Sequence, residues 1–257
     1  MDGTLLTTKN DVSDVTISAI NSIKNHIKII LVSARMPKSM RYLQARLGIE
    51  KEPIICYNGA LVLDNDKELF STVIPISELL IIHNLVEKQG IQLGLYYTDE
   101  WYVPEDSERV QKEIHHTKAV PIFEETHKTL SNWKSRKIGA HKVMLMGTKE
   151  TTDTIFTKLT TDLGSTLHFY RSNDTLIEVA PKSISKLSAI ELLLKNETLA
   201  DVIAFGDNYN DLEMLANVGC GVAVENGRDE VKAIAKYITF KNTKNGVAYF
   251  IKQNIVI

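Results

Sequence analysis

Cysteine is scarce in this chain of 257 residues, which contains only Cys56 and Cys220, each within an apolar stretch. Two such cysteines argue against a disulfide framework and fit a reducing compartment, for which the cytoplasm is the default expectation. Long apolar runs are also missing: none approaches the roughly 18 residues that span a bilayer, and the N-terminus has no charged segment followed by an apolar one. We therefore expect a soluble protein that is not secreted.

An excess of charge of either sign is absent as well. The chain has 30 Lys and Arg residues and 32 Asp and Glu residues, for a net charge of -2. Such a balance creates no general field for nucleic acid or for an anionic membrane. Internal repeats and low-complexity tracts are not evident. A chain of this length, 44% hydrophobic, can bury one large core or two moderate ones, and roughly one and a half to two domains are expected.

What the sequence does contain is an alternation of strand-like and helix-like segments, which is typical of an α/β protein. The run "HIKIILVS" (26–33) predicts a strand, and the helix predicted over 36–48 has Pro37 in its first turn and Gly48 at its end. Near the C-terminus the pattern predicts helix 185–195, strand 201–206, helix 210–217, strand 220–224 and helix 227–235. These β-loop-α units at the two ends can share one parallel sheet.

The middle of the chain has a different pattern, richer in hairpins. Asn58-Gly59 separates two apolar runs and is a turn signal, and a helix is predicted from Ser77, as N-cap, to Gln89. Residues 90–103 and 167–181 predict hairpins, whereas 104–137 is polar and irregular. We expect a core formed by 1–77 and 181–257, with 78–180 inserted as an α+β domain.

The strongest chemical signal is "VIAFGDNYNDLEML", in which an apolar strand leads to Asp207 and a helix opens near Asp211. Ligand sites of open α/β sheets lie at the carboxyl ends of strands. Two carboxylates four residues apart across a tight turn offer hard oxygen ligands to Mg²⁺. Helix capping is the alternative for Asn210 and Asp211, but it does not explain the whole group.

Two further residues are weaker signals on their own. Ser33 ends an apolar strand before a helix, where its hydroxyl and free backbone N–H groups can receive a phosphate, although a turn or N-cap role is equally consistent. Lys186 begins a predicted helix, a position at which lysines are more often solvated than catalytic.

The order of these pieces carries more information than any one of them. Asp-Gly-Thr at the start, Ser33 at a strand end, Lys186 before a helix, and then Gly-Asp-x-x-Asn-Asp resemble the haloacid dehalogenase superfamily of phosphohydrolases. More narrowly, the chain is similar to the Cof-type branch, which carries a large α/β cap between the second and third motifs. The resemblance covers nearly the whole chain and implies a Rossmann-like core with a parallel sheet and an inserted cap.

The resemblance also bears on the opening "MDGTLLT". The first motif of the family is Asp-x-Asp-Gly-Thr, and Asp2, Gly3 and Thr4 match its second half. Its first Asp, the nucleophile, would stand directly before Met1, at the end of a strand that the family places at the centre of the sheet. The resemblance implies that Asp2 is the general acid/base. We expect that a short apolar segment ending in Asp precedes the printed chain, and that the chain as printed is inactive.

The metal and phosphate sites follow from the same resemblance. Mg²⁺ would be held by the preceding Asp, the backbone carbonyl of Asp2 and Asp207, with Asp211 as a supporting ligand. Ser33 and Lys186 would bind the phosphoryl oxygens.

Further contacts are candidates for substrate binding. They are Gly3, Thr4, Asn58, Asn210 and Arg171, with Trp101 and Tyr170 as possible cap contacts, since aromatic and guanidinium groups suit sugars and phosphorylated cofactors. For Asn58 a turn role is equally consistent, and for Trp101 and Tyr170 packing in the cap core is the favoured alternative. The adjacent His115 and His116 are interpreted as surface residues, because neighbours seldom converge on one ion.

Three functions remain open at this stage. The leading one is a Mg²⁺-dependent phosphatase of small phosphorylated metabolites, sugar phosphates being the expected class. The second is a phosphomutase or phosphotransferase that uses the same aspartyl-phosphate, and the third is a non-catalytic phosphometabolite-binding module. The expected partner is a small phosphorylated metabolite, with no nucleic acid and no membrane, and the protein is expected to be a monomer or a homodimer.

Overall fold

The computed structural model describes residues 1–7 and 11–255, which form two compact units. Unit 1 combines Met1–Leu69 with Ser185–Ile257, and unit 2 is Phe70–Ile184. These boundaries lie near, but not at, the predicted positions 77 and 181. Residues before 77 belong to unit 2 because the backbone of Ile74 pairs with that of Ala140.

The secondary structure is α/β, as predicted. The helices of the described residues are α1 (Asp14–Ile23), α2 (Pro37–Leu47), α3 (Ile76–Val86), α4 (Glu108–Thr117), α5 (Thr126–Arg136), α6 (Lys149–Leu163), α7 (Lys186–Glu191), α8 (Leu212–Asn217), α9 (Asp229–Ile234) and α10 (Gly246–Asn254). In the part of the chain so described, no helix combines the length and apolar character needed to cross a membrane.

The strands are short, as in most globular proteins. They are β1 (Leu31–Val32), β2 (Ile54–Cys56), β3 (Leu61–Asp64), β4 (Lys67–Ser71), β5 (Gln92–Tyr97), β6 (Glu100–Val103), β7 (Ile122–Phe123), β8 (Lys142–Met146), β9 (Leu167–Asn173), β10 (Leu176–Pro181), β11 (Ile203–Gly206), β12 (Cys220–Val224) and β13 (Tyr237–Thr239).

Among the described residues, unit 1 contains two sheets instead of the single shared sheet that the sequence predicts. One has the order β1-β2-β3-β4 and the other the order β11-β12-β13. β1 and β2 are parallel, as are β11, β12 and β13. The predicted strand 26–33 is reduced to Leu31–Val32, because these two residues pair with β2 and no described strand pairs with the other edge of β1.

Helix α2 confirms its sequence signals in detail. Pro37 occupies the first helical position, and Gly48 ends the helix in the left-handed region with φ of 66°. One face of the helix buries Met40, Leu43 and Leu47. Helix α3, in contrast, begins at Ile76 with Pro75 as N-cap, so the prediction of Ser77 as N-cap is wrong; proline at this position fixes the extended entry into the helix.

The predicted hairpins are confirmed. β2 and β3 pair antiparallel on either side of Asn58-Gly59, with Ile55 opposite Val62. β5 pairs with β6, and β9 with β10, in the same antiparallel sense.

Unit 2 has a continuous sheet with the order β7-β6-β5-β8-β10-β9 in the described residues. Helices α3, α5 and α6 cover one face of it and bury an apolar core with strands β5, β8 and β10. The core includes Leu79, Ile82, Leu93, Leu95, Leu130, Trp133, Val143, Leu145, Ile155, Leu159, Ile177 and Val179. Burial of this continuous apolar surface is the main stabilising contribution available to the unit.

The prediction that 104–137 is irregular is wrong, because α4, β7 and α5 lie there. Polar composition concealed local helix signals. The Ser107 hydroxyl accepts a hydrogen bond from Val110 and caps α4, and α5 places only Thr129, Leu130 and Trp133 in the interior. A helix needs only a narrow apolar stripe to dock on a sheet.

Candidate active site

The loops that follow β1, β2 and β11 meet at one edge of unit 1. Ser33 follows β1, and its carbonyl accepts a hydrogen bond of 2.8 Å from the backbone N–H of Asn58, which follows β2. The side-chain amide of Asn210 donates to Oδ1 of Asn58 at 3.0 Å. The carboxyl ends of the three strands are therefore held together by hydrogen bonds, at the edge where α/β proteins bind ligands.

The Asn58 loop is backbone-strained, a feature that the sequence analysis missed. Tyr57 and Asn58 both have positive φ, of 52° and 56°, although neither is glycine. Such conformations cost free energy and often mark functional loops. Gly59 follows with φ of 110°, and a Cβ there would collide with the carbonyl of Ser185. The turn thus brings the start of α7, and with it Lys186, close to Asn58.

The N-terminal segment forms a tight turn beside β11. The carbonyl of Met1 accepts hydrogen bonds from the N–H groups of Thr4, Leu5 and Leu6. Gly3 has φ of 74°, and any Cβ at this position would collide with the Asp207 carboxylate. The Thr4 hydroxyl donates a hydrogen bond to Oδ1 of Asp207. Glycine therefore permits the close approach, and threonine fixes it.

Asp2 is held by Arg35, a residue whose role the sequence analysis did not identify. The Arg35 Nε donates to Oδ2 of Asp2 at 2.8 Å and its Nη2 donates to Oδ1 at 2.6 Å, so the pair is bidentate. Burial alone would raise the pKa of Asp2, but the hydrogen bonds and charge of Arg35 outweigh burial and hold that pKa below its usual range. The signal was available in "LVSAR", where an arginine closely follows the strand-ending serine.

Lys186 and Asp211 form a buried ion pair, with 2.6 Å between Nζ and Oδ1 and each side chain 6% exposed. The other oxygen of Asp211 accepts hydrogen bonds from the N–H groups of Asp207 and Asn208. Burial raises the pKa of Asp211, but the charge and hydrogen bond of Lys186, the N-terminal charge and the hydrogen bond from the Asp207 backbone together outweigh burial, and the net pKa is lowered. Lys186 is therefore not the solvated lysine that its position alone suggests.

Asp207 differs from the other two carboxylates because its hydrogen-bonding side chain is the neutral Thr4 hydroxyl. Burial raises the pKa of Asp207, and the hydrogen bond from Thr4 offsets this only in part. The charge of this half-buried carboxylate is not balanced by its neutral partner, so a hard divalent cation bound to its oxygens would stabilise it. Asp207 consequently fits a Mg²⁺ ligand.

The side chains of Asp2, Asp207 and Asp211 do not by themselves form a metal-binding cluster, and the predicted ligand at Asp2 is its backbone carbonyl. Within residues 1–7 and 11–255, no group of three or more His, Cys, Asp and Glu side chains is arranged to hold a metal ion. Arg35 holds Asp2, and both oxygens of Asp211 have protein partners. Metal ligation by Asp2 and Asp211 stays a prediction.

The candidates in unit 2 have structural partners of their own. Arg171 forms an ion pair with Asp153. Trp101 is 1% exposed and stacks on Tyr96 with 5.3 Å between ring centroids, which is the core packing given above as its alternative. Tyr170 is 37% exposed and lies beside the ring of His168.

Comparison with known proteins gives a consistent result. The sequence profile of haloacid dehalogenase-like hydrolases matches residues 1–251. A Haemophilus influenzae protein whose name gives it as a candidate phosphatase is 30% identical, over 98% of this chain and 95% of its own length. A Bacillus subtilis 5-amino-6-(5-phospho-D-ribitylamino)uracil phosphatase is 27% identical, over 98% of this chain and 94% of its own.

A solved structure is also similar. The crystal structure of a haloacid dehalogenase-like hydrolase from Bacteroides thetaiotaomicron superposes with a TM-score of 0.89 and 26% sequence identity, covering 98% of this chain and 96% of that one.

Proposed function

Because the chain belongs to the haloacid dehalogenase-like hydrolases, we propose that it is a Mg²⁺-dependent phosphatase of small phosphorylated metabolites, with sugar phosphates as the substrate class. The observation that carries the proposal is the cluster at the strand ends of unit 1, where Asp207 and the buried Lys186–Asp211 pair lie beside the Asp-Gly-Thr turn. The similarity to a phosphatase of 5-amino-6-(5-phospho-D-ribitylamino)uracil supports a small phosphorylated substrate.

The nucleophile in this proposal is an Asp directly before Met1. Its carboxylate attacks phosphorus, the bond from phosphorus to the leaving oxygen breaks, and an aspartyl-phosphate forms. Water then attacks that phosphorus and releases inorganic phosphate. The covalent intermediate replaces one difficult step by two easier ones. The motif resemblance supports this position for the nucleophile, because Asp2-Gly3-Thr4 matches the residues that follow it.

Asp2 is the general acid and base. The first step uses Asp2 in its protonated form, taken up with the substrate bound, which gives its proton to the leaving oxygen; the resulting carboxylate, the form that Arg35 favours, then takes a proton from the attacking water. The two N–H groups of Arg35 that hold this carboxylate fix its orientation between the two steps. We regard Arg35 as a positioning residue, because it acts through Asp2.

Lys186 and Ser33 bind the phosphoryl oxygens, with Asp211 fixing the position of the Lys186 ammonium. Positive charge at this point stabilises the negative charge of the phosphoryl group during transfer. When bound, Mg²⁺ would be held by the nucleophilic carboxylate, the Asp2 carbonyl and Asp207, and would neutralise phosphoryl charge. Asn58, Asn210, Gly3 and Thr4 provide further polar contacts around the phosphoryl group. Unit 2 is assigned the selection of the substrate.

The deciding experiment compares two purified proteins in a phosphate-release assay with Mg²⁺ and a panel of sugar phosphates. One is the chain as printed, and the other is extended by the residues that the gene encodes before Met1, which we expect to be about five apolar residues followed by Asp. We expect activity only in the extended chain, since Asp2 is displaced from the nucleophile's position and a misplacement of about 1 Å can cost on the order of a hundredfold.

Three outcomes would overturn parts of this proposal. Equal activity in both proteins would contradict the assignment of the nucleophile. Inactivity in both, with phosphate still bound, would favour the non-catalytic binding module. A residue other than Asp before Met1 would remove the basis for hydrolysis by this mechanism.

The metal assignment is tested in the extended chain by Asp207→Asn. We expect a loss of activity of about a hundredfold or more at low Mg²⁺, because the substitution removes a charged ligand of a hard cation. Asp229→Asn is the matched control, since Asp229 lies in the same unit with its side chain 96% exposed. Near-normal turnover of Asp207→Asn at low Mg²⁺ would contradict its role as a ligand.

A further inference from the structure

Strand β13 borders a groove of about 530 Å³ on the surface of unit 1. Four consecutive residues, 237–240, line it together with Tyr249 and Phe250 of helix α10 and with Glu225, which follows β12. β13 is the terminal strand of its sheet, so β12 pairs with one edge and no described strand pairs with the other. Because side chains alternate between the two faces of a strand, four consecutive residues line one groove only where their backbone edge borders it. The groove therefore follows an open strand edge.

The side chains along this groove form a contiguous exposed apolar surface. Tyr237, Ile238, Phe240 and Tyr249 are between 47% and 57% exposed. The rings of Phe240 and Tyr249 pack together with 4.5 Å between their centroids, and the ring of the buried Phe250 lies 5.7 Å from that of Tyr237. Single exposed apolar residues are common, but a contiguous group of them marks an interaction site, and aromatic residues are enriched at such sites.

Exposed lysines flank the groove at both ends of β13. Lys236 directly precedes the strand, and Lys241 and Lys244 follow it. Lys252 lies one turn after the groove residues of α10 that begin at position 249. Glu225 is the one carboxylate among the described residues that line the groove. The local excess of positive charge therefore attracts a segment that carries acidic residues.

The same lysines disfavour a second copy of this chain as the occupant. If β13 paired antiparallel with β13 of another copy so that Tyr237 lay opposite Phe240, then Lys236 of each copy would lie opposite Lys241 of the other. Like charges directly opposite each other destabilise a strand pair. Lysines beside an open strand edge are a common device that prevents such self-pairing.

We propose that this edge binds another protein through an extended segment that is apolar for about four residues and acidic at both ends. The segment adds to β13 as a further strand, so that its backbone pairs with the open edge and its apolar side chains cover Tyr237, Ile238 and Phe240. Its acidic residues pair with Lys236 and Lys241. Main-chain hydrogen bonds supply affinity in this mode of recognition, and the side chains supply specificity. The four groove residues of the edge correspond to about 13 Å of strand.

The test measures binding of three fluorescein-labelled peptides to the full chain by fluorescence anisotropy. The first peptide is Glu-Glu-Val-Thr-Val-Thr-Glu-Glu, whose β-branched centre favours an extended strand. The second has Lys at the four Glu positions, and the third has Pro at the two Thr positions, which removes backbone donors to the edge. We expect the first peptide to bind at least about tenfold more tightly than either of the others, and more weakly as the salt concentration rises.

Two double variants locate the binding site. Lys236→Glu/Lys241→Glu should bind the first peptide at least about tenfold more weakly and should prefer the lysine-containing peptide. Lys134→Glu/Lys158→Glu is the matched control, because it makes the same change of charge at two exposed positions of unit 2, and it should bind like the unsubstituted chain. Amide hydrogen exchange at 237–240 should slow when the first peptide is bound, whereas exchange in β8 of unit 2 should not change.

Several results would overturn the proposal. No binding of the first peptide at concentrations up to about 1 mM, equal binding of the three peptides, or protection from exchange elsewhere than 237–240 would each show that the edge does not take an acidic strand. Self-association of the chain that is abolished by Ile238→Asp would assign the edge to a second copy instead. None of these readouts uses phosphate release, so they do not depend on the proposed phosphatase activity.

Discussion

The two units of this chain stabilise their sheets in different ways. Unit 2 has a continuous sheet, β7-β6-β5-β8-β10-β9, in which three helices cover an apolar face. Unit 1 divides its described strands between two sheets and has an apolar cavity between them. The unit that carries the candidate chemistry is thus the one with incomplete packing.

The two units also differ in how deeply their ion pairs are buried. Unit 1 buries the Lys186–Asp211 pair and the Arg35 end of its pair with Asp2. In unit 2 the ion pairs are more exposed, as in Lys149–Asp153, whose side chains are 63% and 44% exposed. Desolvation of the two charges costs free energy, so a protein with an apolar pair of equal volume at the same place is often equally stable. Retention of buried charge in unit 1 therefore points to chemistry and not to stability.

The largest change in stability is expected from a substitution in the core of unit 2. Trp133→Ala should lower the free energy of unfolding of unit 2 by about 4 kcal/mol, because Trp133 is completely buried among the sheet and helix side chains and its removal leaves a cavity. The free energy of unfolding of unit 2 is measured from amide exchange in β8 during a denaturant titration. Ile203→Ala in unit 1 is the control and should cost less than about 1 kcal/mol, since this side chain borders an existing cavity. Equal losses would contradict the contrast between the units.

A smaller effect is expected from the buried pair of unit 1. Lys186→Met should lower the free energy of unfolding of unit 1 by about 3 kcal/mol, because it leaves the Asp211 carboxylate buried without its cation. The double variant Lys186→Met/Asp211→Asn should recover part of that loss, since no buried charge remains and the Asn oxygen can still accept from the N–H groups of Asp207 and Asn208. A double variant less stable than the single one would show that the pair is structural.

The same contrast explains which features the sequence could predict. Local signals succeed for α2, where Pro37 and Gly48 mark the ends, and for the hairpins. The family resemblance carried by "MDGTLLT" and "GDNYNDLEML" is confirmed by the match over residues 1–251. Such motifs identify residues whose type is dictated by chemistry, so they can be recognised without knowledge of the packing.

Features that depend on distant partners were not predictable. The shortening of the strand 26–33 to Leu31–Val32 depends on which edges find partners, a property of the whole sheet. The helices within 104–137 were hidden because their surfaces are polar. The significance of Arg35 depends on Asp2 beside it, and that of Gly59 in the strained turn depends on Ser185 beside it. Residue types can be read from the sequence, whereas contacts between residues more than thirty positions apart, such as Arg35 and Asp2, are known only once the fold is known.

The smallest expected effect concerns His141, which is completely buried in unit 2. The N–H of Thr98 donates to its Nδ1 at 3.1 Å, so its Nε2 carries the proton and donates to the Ser71 hydroxyl at 3.0 Å. Burial lowers the pKa of His141 to about 4, below the value of about 6.5 expected in the unfolded chain. The unfolded state therefore binds the proton first as the pH falls, and stability present above pH 6.5 is lost toward pH 4. Between pH 6.5 and 5 we expect unit 2 to lose about 1.5 kcal/mol, measured by denaturant titration with exchange in β8 as the local readout. His141→Gln should remove this dependence, and an unchanged pH profile in that variant would assign the loss to other groups.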